Sequence, residues 1–293
     1  MRSACACRPA KPCVRELPLS DLSWQGDQAA GLRRLFGSRA PQVVAFASGR
    51  EACGRTTLVV QTAAALAQQG QPVVIVDENP GPDNAVAAFG LGARYDLMHA
   101  VQGARALRQI ELAAAPLVRI IPAARAASEL DALDAGMRQR LSGCLEQLQE
   151  GASFVLIDCA TRRGGHLSAL ARAARNLVVV VAAQSSAITH AYALIKRIAQ
   201  GRIHGGFQIA ITRARSHDEA RAIFENMRRV AADHLGVRLD YLGDAGVPVT
   251  EHLADALRSR LPAFVDAEAA GLASGGAGLW DDVRERGLAE TMV

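Results

Sequence analysis

A glycine-containing loop links the first apolar run of the sequence to a helical stretch, and its residue types suit phosphate binding. It spans residues 48–57 and reads SGREACGRTT. A loop of the form G-x-x-x-x-G-K-[ST], the Walker A motif, turns backbone N–H groups toward phosphate at a helix N-terminus, while its hydroxyl holds Mg²⁺. Gly49, Gly54 and Thr56 fit this pattern, but Arg55 stands at the lysine position. The loop predicts a phosphate site with an incomplete motif; the alternative is a glycine-containing turn before an ordinary helix.

Two aspartates follow apolar runs further along the chain. Asp77 comes directly after the second run and Asp158 directly after the fourth. Ligands of open α/β sheets bind at the carboxyl ends of the strands. Either aspartate alone could cap a turn, but both beside a phosphate loop predict a Mg²⁺–nucleotide site. Thr56, Asp77 and Asp158 are its predicted metal ligands.

The elements that must position these residues form a repeated pattern. Apolar runs cover residues 43–47, 72–76, 117–121, 154–157, 177–181 and 207–211, and stretches of helical period cover 57–69, 128–150, 187–200 and 218–234. Apolar runs without polar alternation indicate strands that are covered on both faces. The pattern therefore predicts a doubly wound α/β fold, with a mainly parallel sheet and helices on both faces.

The composition is that of a globular protein. Of the 293 residues, 50% are hydrophobic and 21% are charged, which suits one α/β domain with tails. The longest uninterrupted apolar run, residues 177–183, is far shorter than the roughly 20 residues that cross a bilayer. We expect a cytoplasmic protein with a basic N-terminal tail over residues 1–41, a P-loop domain over 42–265, and a Gly-rich linker with an acidic tail over 266–293.

Several segments, in their order and spacing, resemble the MinD/ParA family of P-loop ATPases, and within it the FlhG group (also called FleN or YlxH) of flagellar number and placement regulators. Residues 48–67 are similar to the family's SGKGGVGKTT loop, and residues 77–84 to its D-A-D-x-G-x-x-N motif. Residues 187–196 resemble AITDAYALIK, and residues 239–243 resemble L-x-Y-L-G. The resemblance covers residues 27–265. It implies a MinD-like fold, ATP or ADP with Mg²⁺ as cofactors, and a nucleotide-dependent homodimer.

The resemblance also implies a set of nucleotide contacts, and the sequence departs from the family at several of them. The implied contacts are Gly49, Arg50, Cys53, Gly54, Arg55, Thr56, Thr57, Thr212 and Arg213. Arg50 and Arg55 replace two lysines, and a planar guanidinium does not reproduce a compact ammonium inside a phosphate cradle. Glu51 and Ala52 replace two glycines of the loop, which adds Cβ atoms where backbone approaches phosphate. Thr212 replaces an asparagine that family members offer to the adenine.

Further departures affect the switch motifs. Asp77 and Asn79 stand at the switch positions, but Asn79 cannot accept a proton, so no catalytic residue is assigned. Arg162 replaces the glycine that follows the metal aspartate in the family. We therefore expect hydrolysis to be weak or absent. The alternative is a competent ATP-driven dimer switch.

A short stretch before the domain matches a partner-binding motif of the FlhG group. Asp27, Gln28, Ala29, Leu32 and Arg33 fit D-Q-A-x-x-L-R, with which FlhG-type proteins activate the GTPase FlhF. The resemblance thus implies an FlhF-like GTPase as partner, and a flagellar transcription activator as a second one. The alternative is that this amphipathic stretch docks on the chain's own domain.

The remaining charged segments give weaker predictions. In the C-terminal tail, Leu279, Trp280 and Val283 could share an apolar face, but acidic residues outnumber basic ones there, whereas membrane anchors favour Lys and Arg. We expect weak or no membrane association. Any such association would be peripheral and at the cell pole. A DNA-partitioning ATPase would need a basic face; the arginines of residues 218–234 lie among acidic residues that favour a solvated face. No specific nucleic acid is expected.

Overall fold

The computed structural model describes residues 40–160, 166–200 and 206–245, apart from the side chain of Asp131. In these ranges one sheet contains eight strands. They are β1 (Gln42–Ser48), β2 (Val73–Asp77), β3 (Leu112–Ala115), β4 (Val118–Pro122), β5 (Phe154–Asp158), β6 (Asn176–Ala182), β7 (Gly206–Thr212) and β8 (Arg238–Ala245). Their order across the sheet is β3-β4-β2-β5-β1-β6-β7-β8. Neighbouring strands are parallel except β3 and β4, which confirms the predicted mainly parallel, doubly wound sheet.

The helices follow the strands in the alternation that the sequence predicts. Within the described residues they are α1 (Arg55–Gln68), α2 (Ala85–Ala88), α3 (Leu97–Val101), α4 (Ala124–Glu129), α5 (Ala135–Gln149), α6 (Ala169–Ala173), α7 (Ser185–Gln200) and α8 (His217–Leu235). The single helical stretch expected over residues 128–150 is interrupted. Asp134 accepts a hydrogen bond of 2.7 Å from Met137 N, so its side chain caps a new helix and fixes the start of α5.

Both faces of the sheet are buried. Along β1, Val43, Ala45 and Ala47 belong to one apolar cluster with residues of α5, α7 and α8, whereas Val44 and Phe46 belong to a second cluster with α1 and α2. Successive side chains of a strand point to opposite faces, so an uninterrupted apolar run fills both clusters. This confirms the expectation of helices on both faces.

Two strands were not predicted. The exposure of β3 alternates along its four residues, and its apolar content is mostly alanine, so it gives no strong apolar run. β8 interleaves polar and apolar residues. Its pairing with β7 is irregular, because the register shifts between Ile209 and Ala210 of β7. Both strands lie at the edges of the sheet. An edge strand pairs with a neighbour on one side only, so it can be less continuously apolar than a central strand.

The central strands bring the chemistry-bearing residues to one edge. β5 lies between β2 and β1, and Asp77 is the register partner of Asp158. Asp158 is also the register partner of Phe46, two residues before the end of β1. The loop after β1 therefore opens beside both aspartates. β1 pairs with β5 on one side and β6 on the other, which is the kind of topological switch point where doubly wound sheets bind ligands.

Candidate nucleotide site

The loop between β1 and α1 has the backbone of a tight turn at a helix N-terminus. Gly54 adopts a left-handed conformation with φ of 79° and precedes α1 directly. Ala52 also has a positive φ, of 58°, a region that glycine adopts more readily than alanine. Ser48 Oγ donates a hydrogen bond of 2.8 Å to Arg50 O, across the start of the loop. The replacement of a family glycine by Ala52 is thus accommodated at a strained position.

The side chain of Arg55 is directed to the end of β5. It is 8% exposed and forms an ion pair with Asp158, which is completely buried. Nε donates to Oδ1 of Asp158, and Nη1 donates to Ser48 Oγ at 3.4 Å. Burial alone would lower the pKa of Arg55, but Asp158 outweighs it and the pKa is raised. The guanidinium is therefore charged and held by the aspartate at the end of β5.

The other predicted metal ligands meet around the same carboxylate. Thr56 Oγ1 donates a hydrogen bond of 2.6 Å to Oδ2 of Asp158 and accepts one of 3.2 Å from Asn79 Nδ2. Asp77 accepts from Asn79 N at 3.1 Å through Oδ1 and from Val86 N at 3.0 Å through Oδ2. Burial, and then the nearby charge of Asp158, raise the pKa of Asp77 to about 6.

These contacts decide how well the edge fits Mg²⁺. Magnesium binds oxygen ligands in a nearly ideal octahedron. Here each of the four carboxylate oxygens of Asp77 and Asp158 accepts a hydrogen bond from the protein, and a guanidinium lies against Asp158. In this arrangement the residues do not fit Mg²⁺. The metal role of Thr56, Asp77 and Asp158 stays a prediction.

A buried carboxylate that the sequence analysis did not single out lies next to Asp77. Glu78 is completely buried; it accepts from Ser168 Oγ at 2.5 Å and from Ala160 N at 3.3 Å. Its burial raises its pKa to about 7, although these hydrogen bonds oppose the shift. Ser168 in turn caps α6 by accepting from Ala171 N at 3.0 Å. A glutamate directly after a strand-ending aspartate was the only signal in the sequence.

The start of the loop packs against α7. Arg50 Nη1 donates a hydrogen bond of 2.8 Å to Ser186 Oγ of that helix. A Cβ on Gly49 would lie 2.3 Å from the backbone carbonyl of His190. Glycine at position 49 is therefore required by the contact between the loop and α7. The implied role of Arg50 as a contact to nucleotide stays a prediction.

The remaining implied contacts lie around the end of β7 and the first turn of α1. Thr212 Oγ1 donates a hydrogen bond of 2.7 Å to Cys53 O, so this side chain braces the phosphate loop. Arg213 is exposed and has a positive φ of 59°. Cys53 is a buried free cysteine that packs against Ala182 and Ala187. Thr57 is exposed.

Some predicted residues lie outside the described part of the chain. They are Asp27, Gln28, Ala29, Leu32 and Arg33 of the partner motif, Arg162, and Leu279, Trp280 and Val283 of the C-terminal tail. The tail boundaries at residues 41 and 266 likewise stay predictions. Among the described helices, none combines the length and apolar character needed to cross a bilayer.

Known proteins match both the sequence and the fold. Residues 41–208 match the family described as "AAA domain". The chain is 31% identical to the antiactivator FleN of Pseudomonas aeruginosa, over 71% of this chain and 75% of FleN. The chain belongs to the MinD/ParA family of P-loop ATPases. This confirms the resemblance seen in its motifs.

A second sequence relative and a solved structure are also similar to this chain. The flagellum site-determining protein YlxH of Helicobacter pylori is 28% identical over 68% of each chain. The Cyanothece McdA–ATP complex superimposes with a TM-score of 0.56 at 15% identity, over 82% of this chain and all of McdA. At that identity the McdA structure shows the MinD/ParA fold alone. FleN and YlxH relate the chain to the flagellar branch of the family.

Proposed function

We propose that this protein is a FlhG-type regulator of flagellar number and placement that acts mainly through protein contacts. Its likeness to FleN and YlxH, whose names describe an antiactivator and a flagellum site-determining protein, supports this. The match of Asp27, Gln28 and Leu32 to the D-Q-A-x-x-L-R motif supports an FlhF-like GTPase as the partner. A flagellar transcription activator is the second proposed partner. The proposed location is the cytoplasm, with peripheral association at the cell pole.

The state of the phosphate loop supports regulation without efficient ATP hydrolysis. The observation that carries this proposal is the ion pair between Arg55 and Asp158. A cation that must reach outer phosphates is instead held by Asp158 at the end of β5. Asn79 donates to Thr56 and offers no carboxylate to accept a proton from water. ATP or ADP would then be bound weakly, and turnover would be slow or absent.

The partner contact can be tested by GTP turnover of an FlhF-like GTPase mixed with the full chain. We expect the wild-type chain to raise turnover and Gln28→Ala to abolish the increase. Arg34→Ala is the matched control, because Arg34 lies in the same stretch but outside the motif. Stimulation that survives Gln28→Ala, or no stimulation by the wild-type chain, would refute the proposed contact.

A second candidate function is an ATP-driven dimer switch. The hydrogen bond between Thr56 and Asp158 favours it, since it joins the loop hydroxyl to the strand-end aspartate, as a nucleotide site requires. ATP turnover, and the oligomeric state with and without Mg-ATP, separate it from the first proposal. A regulator of the first kind stays in one oligomeric state and turns over little ATP.

DNA partitioning has less support from the described surface. On α8, Arg228 forms an ion pair of 2.6 Å with Glu225, and Arg221 lies 5.0 Å from the ring centroid of Tyr241. Arginines that are paired with a glutamate of their own helix or packed on a tyrosine of β8 are less available for the phosphate contacts that sequence-independent binding needs. We therefore expect no salt-dependent retention of the protein on DNA.

A further inference from the structure

The edge of the sheet concentrates negative charge that needs a counter-ion. Asp77 and Asp158 end neighbouring strands as register partners, and both are at most 2% exposed. Two like charges at such a position repel each other more strongly than in water, because little solvent screens them. Within residues 40–160, 166–200 and 206–245, the positive group that contacts this pair is the guanidinium of Arg55, through Asp158.

The guanidinium and the loop hydroxyl together engage both oxygens of Asp158. Arg55 Nε donates a hydrogen bond to Oδ1, and Thr56 Oγ1 donates one of 2.6 Å to Oδ2. Thr56 is further held by Asn79 Nδ2 at 3.2 Å. A divalent cation bound to Thr56 and Asp158 would have to displace Arg55 and rearrange these hydrogen bonds.

We propose that Arg55 is a built-in counter-ion that takes the place of the divalent cation beside Asp158, so that this carboxylate is paired without metal and the site disfavours Mg²⁺. The proposal rests on the assignment of this edge to a degenerate nucleotide site. It gives the exchange of lysine for arginine a physical consequence. A planar fork can hold a carboxylate by directed hydrogen bonds and is less strongly hydrated than an ammonium, so arginine is the better permanent partner for a buried aspartate.

The inference predicts that the metal site is latent and not destroyed. Without the guanidinium, Oδ1 of Asp158 loses its hydrogen-bond donor and becomes available to a cation, while Thr56 and Asp77 supply further oxygen atoms at the same edge of the sheet. Hard divalent cations prefer such oxygen ligands. Removal of Arg55 should therefore create a cation site that the wild-type chain lacks. The effect should be specific to this arginine.

The test measures Mn²⁺ binding to the full chain without nucleotide, by the electron paramagnetic resonance signal of free Mn²⁺. Relative to wild type, we expect Arg55→Gln to bind one Mn²⁺ at least about tenfold more tightly. The gain should disappear in the double variant Arg55→Gln/Asp158→Asn. Arg119→Gln is the control, because Arg119 of β4 also forms an ion pair with a carboxylate, that of Glu111 at 3.2 Å. This variant should bind Mn²⁺ like the wild type.

Arg55→Met is a second variant without the guanidinium, and the same gain is expected of it; circular dichroism establishes that each variant is folded before Mn²⁺ is added. A third measurement uses the wild-type chain alone, whose melting temperature should not respond to millimolar Mg²⁺. Tight Mn²⁺ binding by the wild-type chain, a melting temperature raised by Mg²⁺, or no gain in a folded Arg55 variant overturns the proposal. Because no partner takes part, these outcomes are independent of FlhF-like GTPase stimulation, which tests the proposed function.

Discussion

Ser168 Oγ donates a hydrogen bond of 2.5 Å to Oε1 of Glu78, and both residues are completely buried. The contact joins the end of β2 to the N-terminus of α6, because Ser168 also caps that helix. Glu78 accepts a second hydrogen bond from Ala160 N, in the segment that follows β5. One carboxyl group therefore connects the two chain segments that follow β2 and β5, beside the candidate nucleotide site.

This arrangement predicts a pH dependence of stability. Burial raises the pKa of Glu78 from 4.5 to about 7 in the folded protein. Between these values the folded state binds more protons than the unfolded state, so the free energy of unfolding falls as pH rises through this window. The loss from this group reaches up to about 3 kcal/mol above pH 7, at roughly 1.4 kcal/mol per unit of pKa. Urea denaturation at pH 5, 6, 7 and 8 measures it.

Glu78→Gln is the corresponding variant, because an amide keeps the shape of the side chain and does not titrate. Its free energy of unfolding should vary less between pH 5 and pH 8 than that of the wild type. Glu225→Gln is the control, since Glu225 is an exposed residue on α8 and should leave the wild-type slope unchanged. A wild-type slope retained in Glu78→Gln would show that other groups cause the dependence.

The ion pair between Arg55 and Asp158 predicts a strongly coupled double-mutant cycle. Arg55→Met or Asp158→Leu alone leaves a buried charge without its partner, which costs about 3–5 kcal/mol of unfolding free energy. The double variant should recover most of that loss, because apolar side chains of similar volume can replace a buried pair with little net cost. Chemical denaturation of the four proteins checks this. Additive losses would mean that the two side chains do not depend on each other.

The contact between the loop and α7 predicts an unequal effect of alanine at two glycines. Gly49→Ala should cost about 1–3 kcal/mol, a typical penalty for overpacking, because its Cβ would meet the backbone of His190. Gly143→Ala, inside α5, has no atom within 4 Å of the new Cβ. It should stabilise the protein by up to about 1 kcal/mol through helix propensity. Thermal melts compare the two, and equal effects would contradict the described packing of Gly49.

Arg55→Lys predicts a gain in nucleotide affinity. A lysine ammonium lacks the directed fork that holds Asp158, so it can leave the carboxylate for an outer phosphate more readily. We expect Mg-ATP to bind about tenfold more tightly to Arg55→Lys than to the wild-type chain, a difference of about 1.4 kcal/mol. Isothermal titration calorimetry measures both affinities. Equal affinities would show that Glu51 and Ala52, and not Arg55, limit binding.

The central strands could be predicted from the sequence because burial on both faces gives uninterrupted apolar runs. The runs around Val43, Ile75, Leu156 and Val179 correspond to β1, β2, β5 and β6. The edge strands β3 and β8 could not, since one unpaired side relaxes the apolar pattern. The break at Asp134 was missed because helical periodicity continues across it, and only the capping hydrogen bond marks the new start.

The site was predictable to the level of its residues but not of their contacts. Asp77, Asp158 and Thr56 meet as their positions at strand ends and in the loop suggested. No sequence pattern indicated that the side chain of Arg55 would pair with Asp158, because the direction of a long side chain depends on which charged groups the fold brings near it. Glu78 was overlooked for a related reason. Its partner Ser168 lies ninety residues further along the chain and has no motif of its own.

The central place of β1 in the sheet also bears on how the chain is made. Its partners β5 and β6 follow it by about a hundred residues or more, which the ribosome adds in roughly 5–20 s at bacterial rates of synthesis. Throughout that interval an almost wholly apolar strand has no neighbour to pair with, a condition that invites aggregation. Translation speed between Ser48 and Phe154, and access of chaperones to the nascent strand, should therefore influence how much protein a cell recovers in native form.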